Sequence, residues 1–282
     1  MSSTHSATSV LRQAVLATAV LAVVPVASSA GSLTGPEISV PPVARPAPAS
    51  PDLIFSLRGG AGAEPAYFGA DSYVAVPDFA VEFEFFRLPG GRNLGSTDPN
   101  ADHFGFAPRG SLRVIRERTA ADNPELTGLR DIDLAVELGA GIGYSQRNFS
   151  AFAEARYGVI GHGSWVGELG ADLVMRPNDR LTITAGPRLF MGDDSYASTY
   201  FGVTPTESLA SGLAAFAPSG GALSAGIEVG ATYALNDAWG VAGAVRWDRL
   251  MNDAATSPIT GLGAADQFSV RIGLTRRIVL DF

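Results

Sequence analysis

From Phe268 onward every second residue is apolar: Phe268, Val270, Ile272, Leu274, Ile278, Leu280 and Phe282, with Arg276 the one exception. The positions between them, Ser269, Arg271, Gly273, Thr275, Arg277, Val279 and Asp281, are polar or glycine apart from Val279. Successive side chains of a strand point to opposite faces, so a period of two separates the two sets, whereas a helix mixes them. The same alternation predicts strands at Ile132–Tyr144, Phe149–Tyr157, Trp165–Met175, Leu181–Leu189, Leu223–Leu235 and Trp239–Trp247. Less regular versions at Leu53–Gly60, Tyr73–Arg87 and Phe104–Arg118 bring the expected strands to ten.

A soluble sandwich and a membrane barrel both alternate in this way, and three features favour lipid. Aromatics cap the apolar register, as with Trp239 and Trp247 or Phe149 and Tyr157. Eight residues of tilted strand cover about 20 Å of membrane height, close to the girdle spacing of outer-membrane barrels. The strands are also long against a usual length of about 5–6 residues. Finally, the connectors alternate in length. Ser145–Asn148, Pro177–Asp179 and Asn236–Ala238 are tight turns, while 193–220, 251–265 and 119–130 are long and 159–164 is shorter. Short periplasmic turns and longer outer loops are the barrel rule. The expected fold is therefore all-β: an antiparallel transmembrane β-barrel of about ten strands. The connector Leu88–Asp102 breaks the rule, being long on the periplasmic side, and leaves room for twelve.

Composition supports lipid on the outside. Of the 282 residues 46 % are apolar and only 17 % are charged, against about 25 % charged in an average soluble domain. No apolar run beyond the N-terminus approaches the roughly 20 residues of a spanning helix, so a spanning unit must be a barrel. Residues 1–30 read as a signal peptide: Arg12 is the only charge before the apolar Ala14–Ala27 stretch, and Ser28-Ser29-Ala30 supplies small residues for cleavage near Ala30. Residues 31–52 are rich in proline and read as a semi-extended periplasmic linker; 53–282 is the barrel. The expected location is the outer membrane of the cell, with its lipid as a partner. A net charge of −8 argues against nucleic acid, and the absence of cysteine excludes disulfides.

The second register of the strands is charged. Glu154, Arg156, Glu168, Arg188, Glu228, Arg246 and Arg271 are candidate ion-pairing residues of the lumen, together with Glu82, Glu84, Arg113, Glu137 and Asp172. A ten-stranded interior is narrow, so these charges are expected to pair, and every basic residue of the chain is Arg, whose planar fork suits carboxylates. In the longest loop Asp193, Asp194, Tyr196, Tyr200 and Phe201 form a candidate outer contact or, by preference, a lid over the mouth. Catalytic signatures are weak. No Ser sits in a G-x-S-x-G elbow, Gly161-His162-Gly163-Ser164 and Asp102-His103 are only sequence neighbours, and no metal motif or cofactor cradle is present. No cofactor is expected, and a non-enzymatic protein is.

The sequence resembles the MipA/OmpV family of outer-membrane proteins. The stretch Gly60-Ala61-Gly62-Ala63-Glu64-Pro65-Ala66-Tyr67-Phe68-Gly69-Ala70-Asp71-Ser72-Tyr73 is similar to its opening motif. Gly186-Pro187-Arg188, Gly192-Asp193-Asp194-Ser195-Tyr196, Tyr200-Phe201-Gly202-Val203-Thr204, Arg249-Leu250, Asp253-Ala254-Ala255 and Ser257-Pro258 follow. The resemblance covers about residues 53–282; the 88–103 segment departs from it, and the chain keeps only the terminal Phe of the family's aromatic ending. It implies an outer-membrane barrel acting as a scaffold between murein-processing enzymes, a hydrolase and a synthase of peptidoglycan; other members are described as adhesins or porin-like. The leading expectation is such a scaffold. A narrow channel for small solutes is the runner-up, and a barrel enzyme acting on lipid or peptide comes third.

Overall fold

The computed structural model describes residues 51–88, 93–95 and 105–281. The expected signal peptide, most of the linker, most of the segment after Leu88, the side chain of Glu82 and the terminal Phe282 lie outside the described residues. The chain forms strands β1 (Leu53–Pro65), β2 (Tyr73–Arg87), β3 (Asn93–Gly95), β4 (Gly105–Ile115), β5 (Ala135–Gln146), β6 (Phe149–Ile160), β7 (Trp165–Asn178), β8 (Leu181–Gly192), β9 (Gly221–Ala234), β10 (Trp239–Leu250) and β11 (Asp266–Leu280). They make one sheet in the order β3-β2-β1-β11-β10-β9-β8-β7-β6-β5-β4, with each neighbouring pair antiparallel. The ten long strands are those the alternation predicts, and β3 is a short addition against Phe85–Arg87.

Several boundaries differ from expectation; β4, for one, stops at Ile115 and leaves Arg118 to the connector. The first strand does not stop at Gly60 but runs to Pro65. Gly60 and Gly62 sit opposite Gly273 and Arg271, and a Cβ at Gly60 would lie 2.1 Å from the Ile272 carbonyl oxygen. Glycine therefore marks close strand approach here rather than a strand end. Ile132 falls outside β5 and instead makes an isolated bridge with Arg118 across an outer connector.

The sheet curls around an interior. Arg246 on β10 reaches Glu168 on β7 at 2.6 Å although β8 and β9 lie between them. Arg113 on β4 lies over the Phe190 ring of β8, 4.9 Å from its centroid. The long strands at the two ends of the order, β2 and β4, share no ladder among the described residues. Outward-facing side chains are apolar and open to the surroundings: Phe79 and Phe106 are 75 % and 76 % exposed. An apolar belt of this extent is unstable in water and suits lipid. Outward charges keep to the rims. Arg276 lies over the Trp239 ring at one end, and Asp266 accepts from Trp247 and Arg249 at the other.

The end that carries Asp52 and Leu280 holds the tight turns. Asn178 Oδ1 accepts from the Arg180 and Leu181 amides, and Asn236 Oδ1 accepts from Ala238 and Trp239. Such side-chain caps fix a short turn locally. The opposite end carries the long connectors, and the apolar core sits there.

Candidate functional site

Ion pairs fill the wall of the lumen. Arg156 is 3 % exposed and donates to Glu137, Glu154 and Glu168 at 2.9, 3.3 and 3.1 Å. Arg246 joins Glu168 to Asp248. Arg188 bridges Asp172 and Glu228 at 3.0 and 3.2 Å, and Arg271 reaches the same Glu228 at 2.9 Å. Nearer the tight-turn end, Arg58 pairs with Asp78 and Arg277 with Glu84. Of the twelve lumen residues singled out by alternation, Glu154, Arg156, Glu168, Arg188, Glu228, Arg246 and Arg271 thus join two connected networks, with Glu137 and Asp172 beside them. Period two aims them inward, and small partners make room: a Cβ at Gly170 would stand 2.3 Å from the Phe152 ring.

The mouth is closed by folded connectors. Helix α1 (Asp194–Phe201) starts at Asp193, whose side chain accepts from the Tyr196 amide and also from the Trp165 amide at the end of the neighbouring connector, both at 2.8 Å. Asp194 accepts from Gly220 N at 2.7 Å. These two loop acids therefore tie the lid to the sheet. Helix α2 (Pro205–Ser211) opens with a capping box of Thr204 and Glu207 and ends at Gly212 in the left-handed region, φ 78°. Burial opposes the charge of Glu207. The hydrogen bonds from Thr204 and from the Arg130 amide outweigh it and hold its carboxyl below the usual value of 4.5. Helix α3 (Asn252–Thr256) packs beside α1, and Ser257 Oγ donates to the Phe201 carbonyl at 2.7 Å.

Tyr196, Tyr200 and Phe201 are all buried and pack with Phe190, Leu223 and Leu250 of the sheet. Their rings face Phe68, from the β1–β2 connector, at 5.1–6.3 Å between centroids. They are the inner face of the lid and present no aromatic surface to the outside. Burial drives the Tyr196 hydroxyl far up in pKa and the Tyr200 hydroxyl to about 12, so both stay protonated donors.

Alternation did not reveal His162 and Arg118 as parts of this region, because both come from connectors. Gly161 and Gly163 hold φ of 88° and 60°, and the reversal folds the imidazole back over Gly158, where a Cβ would lie 2.4 Å from the ring. Two glycines flanking His162 were the available signal. The imidazole Nε2 stands 3.3 Å from Glu137, with the ring edge-on to Tyr196 at 5.0 Å. Ser164 donates its hydroxyl to the His162 carbonyl rather than to the ring, so the two residues do not form a nucleophile–base pair. Arg118 donates to the Tyr200 carbonyl at 2.9 Å. Burial first, and Arg130 second, lower its pKa to about 10, leaving it cationic at neutral pH.

Beneath the lid lies a cavity of about 240 Å³, bounded by α1, the β1–β2 connector, the outer end of β4 and the facing ends of β8–β11. An all-antiparallel curled sheet with a lipid-compatible exterior, an ion-paired interior, tight turns at one end and a folded plug at the other defines an outer-membrane β-barrel protein. The model of the family described as MltA-interacting protein MipA matches residues 57–278, and the chain belongs to that family. No curated protein matches the chain. Among solved structures, the Neisserial surface protein A is 8 % identical, with 80 % of this chain and 96 % of that chain covered and a TM-score of 0.26. A porin is 11 % identical over 81 % and 100 %, with a TM-score of 0.28. Likenesses at that level carry no weight in the assignment.

Proposed function

We infer that the chain is an exported, non-enzymatic barrel that serves the envelope as an interaction scaffold, with a murein-processing enzyme as its periplasmic partner. The observation that carries this reading is the occupied interior: interlocked ion pairs and a folded lid are built for rigidity rather than passage. The family's description as an interacting protein supports a partner. The tight turns at 147–148, 179–180 and 235–238 offer such a partner little surface. Residues 31–52 and 88–103 are therefore the proposed contact. In-cell crosslinking followed by capture tests this: the full chain retains a murein hydrolase or synthase, and a variant lacking 31–50 with its signal intact loses most of it. Undiminished capture by that variant overturns the assigned contact.

A second reading, a narrow solute channel, draws on the cavity and on Arg113, whose side chain keeps 32 % of its surface exposed. Planar-bilayer recording separates the two. The scaffold reading expects no steady conductance, and regular steps of nanosiemens size would replace it with the channel.

A further inference from the structure

The cavity under the lid has an unbalanced wall. Five arginines line it, Arg113, Arg116, Arg118, Arg246 and Arg271, against the carboxylates of Glu64, Glu168 and Asp248. Two of the cations are neutralised at close range: Arg246 by Glu168 and Asp248, and Arg271 by Glu228. The other three are not. Arg113 has its nearest acid, Glu137, at 4.0 Å and lies instead over the rings of Phe68 and Phe190, 5.4 and 4.9 Å from their centroids. Arg116 and Arg118 form no ion pair within 4.0 Å among the described residues, their nearest acidic influences being Glu64 and Glu207. Arg118 is 5 % exposed, and its Nε has no hydrogen-bond partner. The hydroxyls of Tyr196 and Tyr200, on the same wall, are also buried without partners.

Buried donors left unpaired cost about 1–3 kcal/mol each, and native interiors rarely keep them together without something to accept. On the cavity wall the buried atoms without partners, Arg118 Nε and the two tyrosine hydroxyls, can all donate, whereas the unpartnered Glu137 Oε1 belongs to a residue that does not line it; three cations stand against the carboxylate of Glu64, and aromatic rings stand between them. We propose that this cavity binds a small organic monoanion, a carboxylate on a compact apolar or aromatic body. Its carboxylate meets Arg113, Arg118 and the tyrosine hydroxyls, and its body packs against Phe68, Phe190 and Phe201. Arginine forks match a carboxylate bidentately. Glu64 in the same wall disfavours a dianion such as phosphate. The volume falls below the roughly 300–1,000 Å³ of drug-sized pockets, which limits the body to a ring or a short chain. The site does not rest on the scaffold reading, since none of its lining residues belongs to the proposed murein contact.

Calorimetric titration of the full chain, folded in detergent, with phenylacetate tests the site, using phenylacetamide, inorganic phosphate and palmitate as comparisons. Phenylacetate binds, and the neutral amide binds about tenfold more weakly or not at all, as the loss of a charge-assisted pair requires. Arg118→Gln and Arg113→Gln each weaken phenylacetate about tenfold, and Tyr200→Phe, which removes only a hydroxyl, weakens it several-fold. Heat-modifiable gel migration reports folding of each variant, so if Arg118→Gln does not fold, Arg113→Gln and Tyr200→Phe decide. Equal affinity for acid and amide, no binding of phenylacetate, or unchanged affinity in the folded variants overturns the proposal. Stronger binding of phosphate or of palmitate than of phenylacetate overturns it too, the first by removing the apolar body and the second by removing its small size.

Discussion

Arg156 is the residue on which the outer lumen turns. Its guanidinium gathers Glu137, Glu154 and Glu168, and without it three carboxylates would face one another in a confined space. Arg156→Ala is expected to cost about 3–5 kcal/mol, the range for breaking a buried pair from one side, seen as a lowered urea midpoint for unfolding from lipid vesicles. Arg156→Lys recovers only part, because a point charge cannot serve three acceptors in one plane. Arg249 makes the contrast: it pairs with Asp266 at 3.0 Å but is 61 % exposed, and Arg249→Ala is expected to change the midpoint by about 1 kcal/mol at most. The inward aim of these charges could be read from the chain, since period two assigns a face. Their partners could not. Arg246 meets Glu168 only because the sheet curls by the breadth of two intervening strands, and no local pattern encodes that meeting.

At the scale of elements, the strands were legible and the mouth was not. Side-chain alternation repeats over a dozen residues in each strand, whereas α1 and α2 span only 8 and 7 residues, too short for a 3.6-residue period to declare itself. The aromatics of 193–220 did announce a lid by their apolarity. The helices themselves were not expected from the sequence: α1, which carries the aromatics, is capped by Asp193, and α2 runs from a capping box of Thr204 and Glu207 to Gly212. That box makes a prediction at the same scale. Thr204→Ala removes the cap and is expected to cost about 1 kcal/mol locally, read as faster deuterium uptake by the amides of 205–211 with the strand amides unchanged. Acid does similar work. The folded pKa of Glu207 is depressed, so its contribution is complete above the ordinary 4.5 and is lost as the pH falls through the lowered value. The protection of α2 should therefore fade on acidification below that ordinary value, and a Glu207→Gln variant should show no such pH dependence.

For the whole molecule, the fold class follows from where water is absent. The exterior belt would be an error in a soluble protein, and the rims say how the barrel sits. All three tryptophans, Trp165, Trp239 and Trp247, occupy outward strand positions near its ends. In vesicles, bromines placed near the lipid headgroups should quench their fluorescence strongly, and bromines at the bilayer centre should quench it less; the reverse order would contradict the girdle. Glu207, Arg118 and His162 show why the site was harder to read than the frame. Each lies in a connector, and each gains its role from a surface made by strands distant in sequence.

The pairing of β1 with β11 has a consequence for how such a chain is assembled. Leu53 meets Leu280, the Asp52 amide donates to the Leu280 carbonyl at 2.9 Å, and among the described residues the edges of long strands left without a ladder are those of β4 and the outer part of β2. The seam of the sheet therefore falls inside the sequence, while its ends are stitched together in the middle of the sheet. Strand β1, made first, must wait for the last strand before it has a second neighbour, the kind of distant closure that slows folding. A circular permutant joined between 280 and 52 and opened within 96–104, after β3, would place every strand beside the one made just before it. Such a chain should reach the same barrel faster than the natural order does.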